Sequence, residues 1–362
     1  MIRVLVCDDS AFMRKILRET LEQAGGIEVV GAARDGVKAV ELAQQHQPDV
    51  ITMDVEMPNL DGLGALEQIM KMKPTPRVLM VSSLTAEGSQ AAMKAMALGA
   101  ADVLGKDTGS LGDGPDLRRD LVARVRALGE HAAAKHAPRS AARPATAPHP
   151  AVQPSMAHRR QSCDIHTFKP QLIVIGSSTG GPSIVESICK AIPPGGGAPV
   201  VVAQHMPQLF TRSLAERIGQ HCATTVHHAA DGDALIAGHI YICPGGHNTH
   251  ILNRSGAWTL RVDRNPADTV YWPSVDVLFT TAARVGVPTM GVVLTGMGDD
   301  GGKGALEVVN AGGVVAAQSA ETCVVYGMPK AVVDHGAATA VMSPDELTRL
   351  VASAVRRSSV AA

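Results

Sequence analysis

Aromatic side chains are scarce in this chain, at 2% of 362 residues, so its cores must be assembled from Val, Ile, Leu, Met and Ala. Side chains of this kind suit closely packed parallel sheets covered by helices. Long apolar runs are missing as well: no uninterrupted stretch approaches the roughly 20 residues that a membrane span needs. The opening MIRVLVCDDS turns acidic by position 8, before an apolar run long enough for a signal peptide can form, so none is expected. No sign of charge dominates. A net charge of −1 gives no electrostatic reason to expect nucleic acid or an anionic membrane as partner. The six cysteines are scattered without a CxxC pair, which fits free thiols in a reduced, cytoplasmic protein.

What is present is enough chain for two domains of ordinary size. Between Glu130 and Asp164 the sequence has no acidic residue, almost nothing large and apolar, and repeated Pro and Ala. Such a stretch cannot bury enough surface to offset its ordering entropy. The division expected is therefore a first domain over 1–125, a flexible Ala/Pro-rich linker over 126–168 and a second domain over 169–358.

Before the linker, the strand-like runs IRVLVC, IEVVGAA, VITMD, RVLMVSS and ADVL alternate with amphipathic stretches such as AFMRKILRETLEQA. This alternation predicts five parallel strands with covering helices. After the linker the pattern restarts with QLIVIG and PVVVAQ and resumes later with TMGVVLTG and GGVVAAQ. Between these, HIYICPGGHNTHIL and WTLRVD read as antiparallel hairpin strands. The second domain is expected to be a mostly parallel α/β sheet with a small antiparallel insertion.

In open α/β sheets the carboxyl ends of strands line the functional crevice. Those positions hold Asp8 and Asp9 after the first strand and Asp54 after the third. Three converging carboxylates repel one another unless a hard cation compensates them, and Mg²⁺ suits such a donor set. Ser82 ends the fourth strand with a hydroxyl donor, and Lys106 ends the fifth with a point positive charge.

This pattern, with MPNLDG following shortly after Asp54, resembles the flavodoxin-like receiver domain of bacterial response regulators. The resemblance implies that Asp54 accepts a phosphoryl group from a histidine kinase. It also implies that Mg²⁺ is held by Asp9, Asp54 and the carbonyl of Glu56. Receivers commonly follow the lysine with proline, where this chain has Asp107.

In the second domain the strand QLIVI leads into Gly176-Ser177-Ser178-Thr179-Gly180-Gly181, and Pro182 stands at a favourable first-turn position. The segment fits G-x-S-x-G, in which a tight turn exposes a serine beside a helix N-terminus. Gly-rich turns also bind phosphates. Here no GKS or GKT follows, and the Rossmann glycine spacing is absent. A candidate base, His205, follows PVVVAQ, and a candidate orienting acid lies in Thr295-Gly296-Met297-Gly298-Asp299-Asp300-Gly301. A lipase-like order of Ser178, Asp300 and His335 is an alternative. His247 and His250 near Cys243 read as a turn rather than a metal site, and His221, His227 and His228 as surface or structural. Ser177 reads as support for the loop.

Taken together, GSSTGG, QHMP and TGMGDDG resemble the catalytic domain of chemotaxis response-regulator protein-glutamate methylesterases, which also carry a receiver in front. The resemblance implies a doubly wound, Rossmann-like sheet and a triad of Ser178, His205 and Asp300. The Met297 amide would help form the oxyanion hole, with Thr179 beside the site. The activity implied is hydrolysis of glutamate methyl esters on chemoreceptor cytoplasmic domains, with deamidation of glutamines, and no cofactor in the esterase site. It also suggests that the unphosphorylated receiver covers the Ser178 crevice. The alternatives are a receiver-regulated hydrolase of another pathway and a non-catalytic, phosphorylation-dependent binding protein.

Overall fold

A computed structural model describes residues 1–106, 115–136, 164–195, 197–254, 256–263 and 269–358. The N-terminal unit contains β1 (Ile2–Cys7), α1 (Ala11–Gln23), β2 (Ile27–Ala33), α2 (Gly36–His46), β3 (Val50–Asp54), α3 (Gly62–Ile69), β4 (Arg77–Ser83), α4 (Ala86–Leu98), β5 (Asp102–Lys106) and α5 (Pro115–His136). Its five strands pair in parallel in the order β2-β1-β3-β4-β5. The order reverses between β1 and β3, which leaves a crevice where Asp8, Asp9 and Asp54 emerge. Helix starts are set locally: Ser10, Asp35, Asp61 and Thr85 each accept a backbone N–H in the first turn of α1, α2, α3 and α4.

The MPNLDG segment has a specific structural use. Asp61 caps α3, and Gly62 lies so close to Asp54 that a Cβ there would overlap the Asp54 carbonyl and sit 3.0 Å from Val55 Cα. Only glycine lets α3 begin this near the end of β3. One expectation needs correction. Helix α5 continues to His136, so residues 126–136 are helical rather than linker. The remainder of the expected linker up to residue 163, and Asp107, lie outside the described residues.

The C-terminal unit contains β6 (Leu172–Ser177), α6 (Pro182–Ala191), β7 (Val200–Gln204), α7 (Gln208–His221), β8 (Val226–His228), β9 (Ile240–Ile242), β10 (Asn248–Arg254), β11 (Ala257–Asp263), α8 (Val275–Arg284), β12 (Thr289–Val293), α9 (Gly302–Asn310), β13 (Val314–Gln318), α10 (Met328–Asp334), β14 (Ala340–Met342) and α11 (Pro344–Arg357). Seven strands form a parallel sheet in the order β14-β13-β12-β6-β7-β9-β8. The chain builds outward from β6 through β7 on one side, then returns to build β12, β13 and β14 on the other. The switch point is therefore at β6, whose carboxyl end carries Ser178.

The antiparallel insertion is smaller than HIYIC suggested. Ile240–Ile242 joins the parallel sheet beside β7, and among the described strands the antiparallel pair is β10 with β11. The short apolar run IYI is buried on both faces, which favours a central sheet position over an exposed hairpin.

The two units touch along α4 and α7. Ser89 and Ser213 share a buried hydroxyl–hydroxyl hydrogen bond of 2.7 Å there, and fully buried Phe210 of α7 lies against Gly105 of β5. Val324 and Val325 pack against the N-terminal unit's second apolar layer, which contains Leu121 and Val125.

Candidate active site and phosphoryl-acceptor pocket

Ser178 and His205 occupy equivalent positions on neighbouring strands. β6 and β7 pair Ser177 with Gln204, and the next residue on each strand is Ser178 or His205. The His205 amide continues this ladder by donating to Ser177 O at 2.9 Å. The turn after Ser178 is held from several sides. The Ser178 amide donates to Thr295 O at 3.1 Å, and its carbonyl accepts from Gly181 N at 2.9 Å and Gln204 Nε2 at 3.0 Å. Gly180 has φ +81°, a left-handed conformation that glycine adopts without steric cost. Gly181 leaves room for the buried Ser177 hydroxyl, which a Cβ would overlap.

His205 and Asp300 form a buried couple, with Nε2 2.8 Å from Oδ2. Asp300 also accepts from Val275 N at 2.7 Å and Asp276 N at 2.9 Å, and from the Ser274 hydroxyl at 3.0 Å. The carboxylate thus sits on the N-terminus of α8, where free amides and the helix dipole favour negative charge. Burial alone would raise its pKa. The bond to His205, its charge and the two amides outweigh that effect and hold Asp300 below the usual carboxylate range.

With Nε2 committed to Asp300, Nδ1 is the ring nitrogen left to exchange a proton with a serine. It is buried and makes no hydrogen bond. The ring is therefore reversed relative to the common triad, in which Nδ1 faces the acid. His335 plays no part in this couple; its Nδ1–H donates to Ala331 O at 2.8 Å at the end of α10. The lipase-like order is thereby disfavoured.

Met297 is half-buried beside Gly298, which has φ +83°. Thr179 follows Ser178 directly and reaches across to the N-terminal unit. Its hydroxyl donates to Asp102 Oδ2 of β5, the same oxygen that pairs with Arg124. A cavity of about 480 Å³ opens next to Met297, walled by Ala123, Arg126 and Glu130 of α5 and by Tyr326. The N-terminal unit thus flanks the turn that carries Met297.

Several supporting residues escaped the sequence reading. Tyr271 stacks on the His205 ring, and Asp276 accepts from Gly301 N at 2.9 Å and Gly304 N at 2.6 Å, bracing the loop that carries Asp300. Gln318 Oε1 fixes the Thr295 amide at 2.8 Å. The pattern Pro273-Ser274-x-Asp276 carried a capping signal, since Ser274 caps α8. Nothing local in it pointed to Asp300.

In the receiver, Lys106 Nζ lies 2.7 Å from both Asp8 Oδ2 and Asp54 Oδ2. Burial by itself would lower the lysine's pKa, but the two carboxylates hold it above its ordinary value. Burial pushes Asp54 up, and Lys106 pulls in the other direction. Candidate ligand oxygens of Asp8, Asp9 and Asp54 fall within 4.8 Å of one another, the only such group among the described residues. Three hard carboxylates facing one ammonium fit Mg²⁺ in donor type and charge. Cys243, His247 and His250 form no such group. Ser82 is buried and donates to Gly88 O at 3.1 Å, while the Glu56 side chain is exposed.

Known proteins divide the chain in the same way. Residues 4–111 match the response regulator receiver domain family and residues 173–351 the CheB methylesterase family. The protein-glutamate methylesterase/protein-glutamine glutaminase 1 of Oleidesulfovibrio alaskensis is 42% identical, over 98% of this chain and 100% of its own. The protein-glutamate methylesterase/protein-glutamine glutaminase of Symbiobacterium thermophilum is 44% identical, over 98% of this chain and 97% of its own. The Thermotoga maritima CheB methylesterase catalytic domain structure is 39% identical, covering 51% of this chain and 98% of that one with a TM-score of 0.48. The chain belongs to the protein-glutamate methylesterase/protein-glutamine glutaminase family, with a receiver domain preceding a CheB methylesterase domain.

Proposed function

We propose that this chain is a phosphorylation-activated serine esterase of chemotaxis adaptation, hydrolysing glutamate methyl esters on the cytoplasmic domains of chemoreceptors and deamidating their glutamines. The observation that carries the reading is the buried His205–Asp300 couple on the strand next to Ser178. Ser178 Oγ attacks the ester carbonyl carbon while His205 Nδ1 takes its proton. The oxyanion that forms is held by backbone amides, Met297 among them, and each such donor is typically worth about 3 kcal/mol. The intermediate collapses, the C–O bond breaks, and the imidazolium returns its proton to departing methanol. Water then hydrolyses the acyl-enzyme with His205 again as base, leaving free glutamate. With a glutamine side chain the leaving group is ammonia. Asp300 fixes the ring through Nε2 and stabilises its charged form. The esterase chemistry draws on protein groups alone.

In the receiver, Asp54 takes the phosphoryl group from a histidine kinase. Mg²⁺ would be held by Asp9, Asp54 and the Glu56 carbonyl, and would neutralise charge on the carboxylates and the phosphoryl oxygens. Ser82 turns its hydroxyl from Gly88 O to the phosphoryl group. Because Gly88 lies in the first turn of α4, next to Ser89 at the α4–α7 contact, that change weakens docking and uncovers Ser178. A cytoplasmic location fits this substrate and the buried free thiols of Cys7, Cys189, Cys243 and Cys323. No helix among the described residues is long and apolar enough to cross a membrane.

Methanol release from methylated receptor is the test, with and without a phosphodonor. Ser178→Ala should abolish it, and Asp54→Asn should remove its phosphodonor dependence. Full turnover by Ser178→Ala would overturn the assignment of the nucleophile.

A further inference from the structure

Tyr271 precedes α8 in a segment with no strand or helix of its own, yet its ring lies flat against His205. The phenol and the His205 imidazole lie 4.6 Å apart between centroids with only 2° between their planes. At its far end the same phenol closes on Gly298. A Cβ added to Gly298 would collide with the Tyr271 hydroxyl and lie 3.2 Å from Cζ. Tyr271 therefore spans from the face of the base to the turn that follows Met297.

We infer that Tyr271 is a positioning residue for His205, a clamp that fixes the plane of the imidazole and favours its protonated form. The inference rests on the assignment of His205 as the base. Two observations make the clamp necessary. First, the imidazole is anchored through only one nitrogen: Nε2 is bound by Asp300, while Nδ1 has no hydrogen bond. One hydrogen bond leaves the ring free to rotate about the line to Asp300, and rotation would carry Nδ1 out of line with Ser178. A flat ring stacked on its face blocks that rotation. Second, the base becomes an imidazolium in each proton transfer. An aromatic face within about 6 Å of a cation attracts it, more strongly when the pair is desolvated. Burial, with Asp299 and Asp300 adding to it, raises the phenol pKa, so the tyrosine stays neutral beside the imidazole.

A ring is required here, and a hydroxyl is not. With the full-length chain, methylated receptor and a saturating phosphodonor, Tyr271→Leu should lower kcat about tenfold, the size of a lost cation–π contact, at unchanged KM. Tyr271→Phe should stay within about twofold of wild type, since the stack is kept. Wild-type kcat in Tyr271→Leu would overturn the clamp, as would a loss confined to KM or a Phe variant as slow as the Leu variant. Thermal unfolding of each variant identifies loss through misfolding. If Tyr271→Leu were misfolded, Tyr271→His, which keeps a flat ring, should retain more than half of wild-type kcat, and loss of activity in that folded variant would count against the inference. Ser178→Ala measured alongside separates the two readings: activity in that variant overturns the triad, whereas an inactive Ser178→Ala beside a fully active Tyr271→Leu overturns the clamp alone.

Discussion

Thr179, the residue after Ser178, donates its hydroxyl to Asp102 at the start of the receiver's last strand. Both residues are buried, Asp102 at 3% and Thr179 at 2% exposure. Arg124 of α5 pairs with the same carboxylate oxygen. A buried carboxylate matched by a guanidinium and a hydroxyl is costly to strip of one partner, by about 3–5 kcal/mol for the charged one. The loop that carries Ser178 is thus tied to β5 directly and, through Asp102, to α5 of the receiver.

Opening this contact should release activity. Ser89→Arg forces a long charged side chain into the buried Ser89–Ser213 contact, away from Ser178 and His205. Turnover without a phosphodonor should rise about tenfold, within the usual range of coupling energies. Methanol release measures it; an unchanged basal rate in a variant whose α4–α7 contact is demonstrably lost would rule out inhibition by docking.

Asp300→Asn should keep the fold and lower kcat by roughly 10⁴-fold, as loss of the orienting carboxylate does in serine hydrolases. An amide accepts poorly and cannot stabilise the imidazolium. Rates within tenfold of wild type would remove Asp300 from the triad.

Gly296→Ala tests how closely the Asp300 loop approaches Ser178. The added methyl would lie 2.7 Å from Ser178 Cβ and would overlap Met328 Sδ. Displacing Ser178 by a fraction of an ångström should lower kcat about 100-fold. Gly312→Ala is the control for helix-end strain without contact, since no atom lies within 4 Å of a Cβ there; it should affect stability and leave kcat unchanged.

Acid should destabilise the catalytic domain through His228. Burial, then Arg212 and His247, lowers its pKa to about 4. The unfolded chain binds this proton with an ordinary pKa near 6.5, so between about pH 6.5 and 4 the unfolded state carries more proton than the folded one. Stability is therefore full above that window and falls as the pH drops through it. His228→Gln should flatten the dependence of Tm on pH across this interval; identical slopes for variant and wild type would assign the effect elsewhere.

The chemistry of the strand ends was legible in the sequence. Asp8, Asp9, Asp54, Ser82 and Lys106 each follow an apolar run, and strand ends in a parallel sheet share one edge, so a one-dimensional pattern suffices to gather them. The same reasoning finds Ser178, His205 and the TGMGDDG loop. Partner choice was decided by the tertiary structure. Which ring nitrogen meets Asp300, that Val275 and Asp276 donate to it, and that Tyr271 stacks on His205 all depend on strand order and on where α8 begins. The run IYI looked like a hairpin strand because apolar residues this few carry no period that separates the two; its place beside β7 came from long-range pairing. Thr179 shows the limit most directly. Its position after Ser178 is local, but its hydroxyl's partner, Asp102, is supplied by the other domain, and no pattern within either segment encodes that contact.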